Sequence, residues 1–317
     1  MKAVIFTEYG NFDSIKLIEK EIPTPKSNEV IVKMKKSSLN AMEWHLFRGV
    51  TLVKMKIGWR KPKPKYQTIG ADIAGVVTEL GAKVTCLKKG DEVFGEDFTG
   101  GYAEYTAAKA SALTIKPKNV SFEQAAASGV AGLTALTALR EICTIKAGDK
   151  VLINGASGGV GSYAVLMAKY YGAEVTAVCS AKNFEFVKGL GADHHIDYKT
   201  EDFCAQGKKY DSLIEVTGNR RPKEVKSILN DGGKCAVIGF TSAKHIMRYM
   251  FSFSKKIKMV NEISSPENLK ELATILESGK INMPITSRYK LSEIREGIEH
   301  LSTRRATGKV IVDIASE

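Results

Sequence analysis

One segment constrains the fold of this chain more than any other. Lys150-Val-Leu-Ile-Asn154 is a short apolar run; it turns through Asn154-Gly-Ala-Ser-Gly-Gly-Val-Gly161 into a helical pattern from about Val160 to Tyr171. Glycines allow the tight turn, and a helix starting there aims unsatisfied N–H groups and the positive end of its dipole above the turn. A second apolar run, residues 174–178, follows the helix. This is the sequence of a βαβ unit whose turn receives a dinucleotide pyrophosphate. Matched to G-x-G-x-x-G, Ala156 takes the first glycine position, then Gly158 and Gly161, with Ser157, Gly159 and Val160 completing the loop.

The flanking sequence extends the same rhythm. Ser121-Phe-Glu-Gln124 reads as a capping box ahead of an Ala-rich helix. Strand-like runs at 194–198, 210–216, 234–239 and 257–262 alternate with helical stretches, and another helix is expected over 266–279 between Pro266 and Gly279. Apolar runs bounded by glycine predict buried parallel strands in a doubly wound sheet. Residues 1–115 read instead as short strands and turns, the pattern of a compact β-rich, barrel-like domain. The final stretch, 285–317, reads strand, helix, strand and is expected to rejoin that domain. The chain is therefore predicted to be α/β with two domains, one of residues 1–120 and 283–317, the other of 121–282.

Charge narrows the partners. Lys and Arg total 47 against 35 Asp and Glu, a net +12. The excess lies in scattered lysines with no RNA-recognition, helix-turn-helix or zinc-finger pattern, so no nucleic-acid partner is expected. Two places are denser: the insert Lys54–Lys65, which mixes cations with apolar residues, and Lys255–Lys258 after the apolar stretch His245–Phe253. They read as solvated loops or as a place that receives an amphiphilic substrate or makes a weak peripheral contact with a membrane surface. The weakly polar run 125–139 is too short to span a bilayer. Five scattered cysteines without a C-x-x-C, and an N-terminus that reads as a strand, predict a reduced, cytoplasmic protein.

The end of the second strand selects the dinucleotide. An acidic residue there would hold a ribose 2′-OH and favour NAD. The sequence Val178-Cys-Ser-Ala-Lys-Asn183 offers Ser180 and Lys182 and no carboxylate before Glu185. A hydroxyl and a cation suit a 2′-phosphate, so NADPH is the expected cofactor.

Several blocks in order, Ser38–Trp44, Ile69–Val77, Gly100–Tyr105, Ala131–Ala135, the glycine loop, Leu190–Tyr198 and Arg305–Val310, make the chain resemble the medium-chain dehydrogenase/reductase superfamily. Specifically, they resemble its zinc-independent quinone-oxidoreductase, or enone-reductase, branch. The resemblance covers essentially the whole chain. It implies a GroES-like β domain interrupted by a Rossmann domain, a homodimer, and a small quinone or α,β-unsaturated carbonyl as substrate. It places Asn40 and Thr134 near the nicotinamide as candidate catalytic residues. Tyr198 would lie beside the adenosine phosphate, Gly239, Phe240 and Thr241 at the cofactor crevice, and Arg305, Ala306 and Thr307 on the segment returning towards the cofactor. Asn40 either hydrogen-bonds the carbonyl or nicotinamide or caps a turn; Trp44 and Tyr66 either line the substrate pocket or are core aromatics.

The zinc-dependent branch carries a Cys where Asn40–Ala41 stands and Gly-His-Glu where Gly70-Ala71-Asp72 stands. Ala71 has no donor atom, so no zinc is expected. Without a Lewis acid the acceptor must stabilise the charge left by hydride attack itself, as quinones and enones do. The alternative is a low-turnover NADPH-binding protein, regulatory or crystallin-like, with the same glycine loop.

Overall fold

The computed structural model describes residues 1–50, 68–98, 100–240, 243–252, 254–260 and 264–314. They form two compact units: Met1–Val130 with Ser264–Gly279 and Pro284–Glu317, and Ala131–Ile263 with Lys280–Met283. Among the described residues, no helix is long and apolar enough to cross a membrane.

The second unit is built on six parallel strands in the order His194–Asp197, Glu174–Cys179, Lys150–Asn154, Tyr210–Glu215, Leu229–Val237, Ile257–Met259. The chain starts in the middle, works outward to one edge, then returns to fill the other side. That reversal leaves a crevice at the carboxyl ends of the two central strands, where Asn154 and Glu215 are paired in register. Leu152, Val178, Leu213, Cys235 and Val237 are fully buried or nearly so and form the sheet's core, which is why these strands read as unbroken apolar runs.

The glycine turn is fixed by contacts only glycine permits. Gly155 has φ +91°, and a Cβ there would lie 2.9 Å from Thr217 Cγ2. A Cβ on Gly161 would lie 2.1 Å from the Gly155 carbonyl oxygen and 2.8 Å from Ala156 Cα. The helix Gly159–Tyr170 can therefore start directly against the turn only because position 161 has no side chain.

The first unit is organised by the eleven-residue strand Glu29–Leu39. Asp72–Leu80 pairs along it antiparallel, Tyr105–Lys109 pairs with its first half, and Lys309–Asp313 pairs with its last residues, Val310 opposite Leu39. Register shifts at Ile31/Val32 and Met34/Lys36 bend the strand so that it can serve several partners. The chain's last strand thus returns to the domain where the chain began. Val30, Val32, Met34, Ile73, Val310 and Val312 fill the core.

The division differs from the expected one in two segments. Residues 121–130 and the helix Pro266–Glu277 group with the β-rich unit, not with residues 131–263. That helix packs on the strand Leu113–Ile115, and Asn119 Nδ2 donates to the Glu277 carbonyl at 2.7 Å. Its apolar face, Leu269, Leu272, Ile275 and Leu276, is buried. Periodicity shows that such a face needs cover; it does not show which neighbour supplies it.

Gly161→Ala forces a methyl into backbone atoms and is expected to cost about 3 kcal/mol or more in urea unfolding. Gly158→Ala is expected to cost less than about 1 kcal/mol, because the only atom near a Cβ there is the Gly155 oxygen at 3.8 Å.

Candidate functional site

In the second unit the glycine loop is half-buried from Ser157 to Val160, while Ala156 and Gly161 are covered. Gly158 is the N-cap of the helix Gly159–Tyr170, so the first-turn N–H groups have no acceptor within the helix. The next strand end is tied to this loop: Asn183 Nδ2 donates to Ser157 Oγ at 3.0 Å, and Asn183 N donates to the Ser180 carbonyl at 2.8 Å. Ser180 is buried and Lys182 exposed. Register also brings Asp197 alongside Cys179; its Oδ1 accepts the Lys199 N–H at 3.0 Å. Tyr198, just beyond, is 54% exposed.

The floor of the crevice is held by Glu215, which is fully buried. Its carboxylate accepts from Asn154 Nδ2 at 2.8 and 3.0 Å, and from Thr217 N, Thr217 Oγ1 and Gly218 N at 2.9–3.1 Å. Burial pushes this carboxyl up, against the pull of those donors. Gly218 and Gly239 sit close: a Cβ on Gly218 would lie 1.8 Å from the Gly239 oxygen. Gly239 and Phe240 are half-buried beside this loop, Phe240 packing against Tyr249 with ring centroids 6.0 Å apart. Thr134 is buried in the helix Phe122–Leu136.

The first unit carries a second, more highly charged centre. Lys309 (2% exposed), Asp72 (0%) and Glu43 (4%) meet around Asn40 (8%). Lys309 Nζ lies 2.7 Å from Asn40 Oδ1, 3.4 Å from Asp72 Oδ2 and 3.5 Å from the Leu39 carbonyl. Asn40 Nδ2 donates to Asp72 Oδ2 at 2.9 Å and approaches Glu43 Oε1 at 3.4 Å. Asp72 also accepts from Ser38 Oγ and, at 2.6 Å, from Val130 N. Glu43 accepts from Asn40 N at 2.9 Å and Ala71 N at 3.2 Å. Burial first, then the Asp72 charge, pushes the Glu43 carboxyl up to about 7, opposed by backbone donors, Lys309 and Asn40.

The polar atoms of the Asn40 side chain are thus engaged inside the unit, at the start of the helix Ala41–Phe47. Trp44, on that helix, stacks on Phe12 and Phe47, each 5.9 Å away between centroids, with Arg48 over its ring. Arg305 is exposed and Ala306 and Thr307 half-buried, three residues that lead through Gly308 into Lys309. Tyr66, Thr241 and the Lys54–Lys65 insert lie outside the described residues. Among the described residues, no group of three or more His, Cys, Asp or Glu could hold a metal ion.

Comparison with known proteins places this arrangement. Residues 26–118 match the alcohol dehydrogenase GroES-like domain, and residues 190–312 match a family described as zinc-binding dehydrogenase. The chain is 36% identical to the chloroplast envelope quinone oxidoreductase homolog of Arabidopsis thaliana, over 99% of this chain and 98% of that protein. It belongs to the medium-chain dehydrogenase/reductase superfamily, in the zinc-independent quinone-oxidoreductase branch. The NADPH-dependent alkenal/one oxidoreductase of the Arabidopsis thaliana chloroplast is 34% identical, over 98% of this chain and 79% of that protein. Among solved structures, the quinone oxidoreductase from Coxiella burnetii superposes with a TM-score of 0.88 at 30% identity, covering 99% of each chain. The GroES-like and Rossmann assignments of the two units follow, and with them membership of an oxidoreductase family.

Four residues that organise this family member escaped assignment from sequence. Glu215 ends an apolar run, and a carboxylate at the carboxyl end of a buried strand is a readable signal. Lys309 likewise opens an apolar strand where a buried lysine demands a partner. Asp72 gives no local cue to the distant Lys309, and Asn183 gives none to Ser157.

The charged centre makes stability depend on pH. The folded state raises Glu43 from 4.5 to about 7, so its contribution to stability is present below 4.5 and lost as pH rises through about 7. Glu43→Gln is expected to gain on the wild type by on the order of 3 kcal/mol between about pH 5 and pH 8, read by urea unfolding across that range.

Proposed function

We propose that the chain is an NADPH-dependent, zinc-independent oxidoreductase that reduces quinones or α,β-unsaturated carbonyls by direct hydride transfer. The observation that carries this reading is the glycine turn joined to a hydroxyl- and cation-bearing strand end. The loop fits a dinucleotide: above Gly158 a Cβ would meet nothing nearer than 3.8 Å, leaving room for a pyrophosphate against first-turn N–H groups. Ala156 and Gly161 give the turn its shape, and the N–H groups of Ser157, Gly158, Gly159 and Val160 would hold the phosphates. Ser180 and Lys182 would hold the 2′-phosphate, with Asp197 turned to its own Lys199 N–H. Tyr198 would lie beside the adenosine phosphate, and the main chain at Gly239 and Phe240 would meet the nicotinamide amide. Arg305, Ala306 and Thr307 would lie on the segment that returns towards the cofactor.

When bound, NADPH supplies the hydride. The chain's own residues orient the acceptor and exclude water. Thr134 keeps its place as a candidate beside the nicotinamide. Asn40, its amide committed to Lys309 and Asp72, acts by fixing the turn that presents Glu43 and Trp44. Names of relatives support the acceptor class: one is a quinone oxidoreductase homolog and another an NADPH-dependent alkenal/one oxidoreductase. The reading carries with it a cytoplasmic homodimer with at most weak membrane contact; five free cysteines suit a reducing compartment.

The purified protein is expected to oxidise NADPH in the presence of 9,10-phenanthrenequinone or 2-alkenals, followed by absorbance. Tight NADPH binding without oxidation of either acceptor would point instead to a low-turnover cofactor-binding protein. Lys182→Glu is expected to lower kcat/KM for NADPH by roughly 10- to 100-fold, the worth of a charge-assisted phosphate contact, and to leave NADH nearly unaffected. An equal loss with both coenzymes would remove Lys182 from the 2′-phosphate.

A further inference from the structure

The helices Pro222–Ser227 and Ala243–Met250 both belong to the second unit, and an open groove of about 500 Å³ lies between them. Arg221, Lys223 and Lys226 line it from one side, Arg248 and Ser252 from the other. Among the described residues, none of these four cations is in an ion pair, whereas the adjacent Arg220 is paired with Asp202 at 2.9 Å. Glu224, the one carboxylate on the first helix, accepts the Arg221 N–H at 2.8 Å and does not line the groove. Four like charges facing one open volume attract an anion.

The second helix is fixed by one face and offers the other. Tyr249 is buried in the core cluster of the parallel sheet. Met247 and Phe251 stand one turn apart on the opposite side, with Met250 next to them, and the three are 58%, 65% and 58% exposed. Phe251 N donates to the Met247 carbonyl at 3.0 Å, which carries the helical turn through Phe251. Lys244 and Arg248, likewise a turn apart, run beside this apolar stripe. Large apolar side chains grouped in water mark a contact surface, and an apolar face flanked by cations is the pattern of a helix that lies on a membrane.

The occupant must be anionic and must also cover the apolar stripe. A free phosphate or a nucleic-acid backbone would fill the groove and leave Met247, Met250 and Phe251 in water. A second copy across a two-fold axis would set this same patch against itself, like charge facing like charge. A bilayer of anionic phospholipid meets both demands at once, with phosphates at the height of the cations and hydrocarbon directly below them. The net charge of +12 adds long-range attraction to such a surface.

We propose that this face docks the chain on a bilayer of anionic phospholipid. Lipid phosphates enter the groove against Arg221, Lys223, Lys226 and Arg248, while Met247, Met250 and Phe251 sink into the boundary beneath the headgroups. The helix Ala243–Met250 lies in the plane of the interface and does not cross it, so the association is reversible and sensitive to salt. Arg221 comes two residues after Asn219, whose Oδ1 accepts from Asn154 Nδ2 at 3.1 Å. The docked face thus borders the loops of the crevice. This assignment stands independently of the reductase reading.

The test sediments the full-length protein with vesicles of phosphatidylcholine alone and of an equal mixture of phosphatidylglycerol and phosphatidylcholine. The wild type is expected to pellet with the mixed vesicles at about 0.05 M salt and to be released at about 0.5 M. Arg221→Gln/Lys223→Gln/Lys226→Gln should lower the partition coefficient by roughly 100-fold, about fivefold for each cation. Met247→Ser/Phe251→Ser should lower it by about tenfold or more at unchanged net charge. The control Lys83→Gln/Lys88→Gln/Lys89→Gln removes as much charge from exposed positions of the first unit, and should stay within about threefold of the wild type. All substitutions are at exposed side chains, and urea unfolding confirms that each variant is folded. No pelleting with the mixed vesicles, equal pelleting with phosphatidylcholine alone, or an equal loss in the control would overturn the proposal. So would a Met247→Ser/Phe251→Ser variant that keeps its vesicle binding and instead loses self-association, which would make this face a contact between copies of the chain.

Discussion

The ammonium of Lys309 against Asp72 is the interaction on which the first unit depends. The chain leaves this unit, builds a second one, and comes back to place its last strand beside Glu29–Leu39. Backbone pairing alone would tolerate a slip along that edge. A lysine 2% exposed, aimed at a carboxylate 0% exposed, does not tolerate it, because a one-residue slip would turn the side chain to the other face and leave Asp72 buried without its counter-ion. Breaking such a pair costs about 3–5 kcal/mol, more than several ladder hydrogen bonds return. The same contact anchors the strand that Arg305, Ala306 and Thr307 lead into through Gly308.

The second unit solves the same problem without a cation. Glu215 is buried as deeply as Asp72, yet its donors are the Asn154 amide and the N–H and hydroxyl groups of its own loop. That arrangement joins the ends of the two central strands, and Ile238 N donating to the Glu215 carbonyl at 2.9 Å adds the third. The loops at the crevice are therefore set by one carboxylate before any ligand arrives, which is the preorganisation a cofactor site requires. Asn154 stands at the hinge of this logic: its backbone ends the strand and its side chain links Glu215, Thr217 and Asn219.

What the sequence made legible follows from the range of the forces involved. The strand Lys150–Asn154, the helix beginning at the glycine turn, and the cap in which Gln124 N donates to Ser121 Oγ at 3.2 Å are local events, written in neighbouring residues. The helix Ala41–Phe47 was not read, since seven residues carry too little periodicity. Nor was the helix Ala243–Met250, whose apolar residues point both ways: Tyr249 is buried while Met247 and Met250 are each 58% exposed. Assigning residues 266–279 to the wrong unit has the same origin, an apolar face legible in itself and silent about its partner. The charged centre was illegible for a stronger reason. Asp72 and Lys309 are 237 residues apart, and only the returning strand brings them together.

That centre also bears on why a chain matching a family described as zinc-binding dehydrogenase is built as it is. The turn at Asn40 and the turn at Gly70–Asp72 are the places where the zinc-dependent branch carries its Cys and its Gly-His-Glu. Here those two turns still converge, but on each other and on a lysine. Asn40 joins Asp72 and Lys309, and Glu43 reaches back to Ala71 N. The positive charge at this point of the fold is therefore an ammonium whose three N–H groups face the Asn40 amide, Asp72 and the Leu39 carbonyl, holding them in register. Under the proposed function, that arrangement suits acceptors that stabilise their own negative charge.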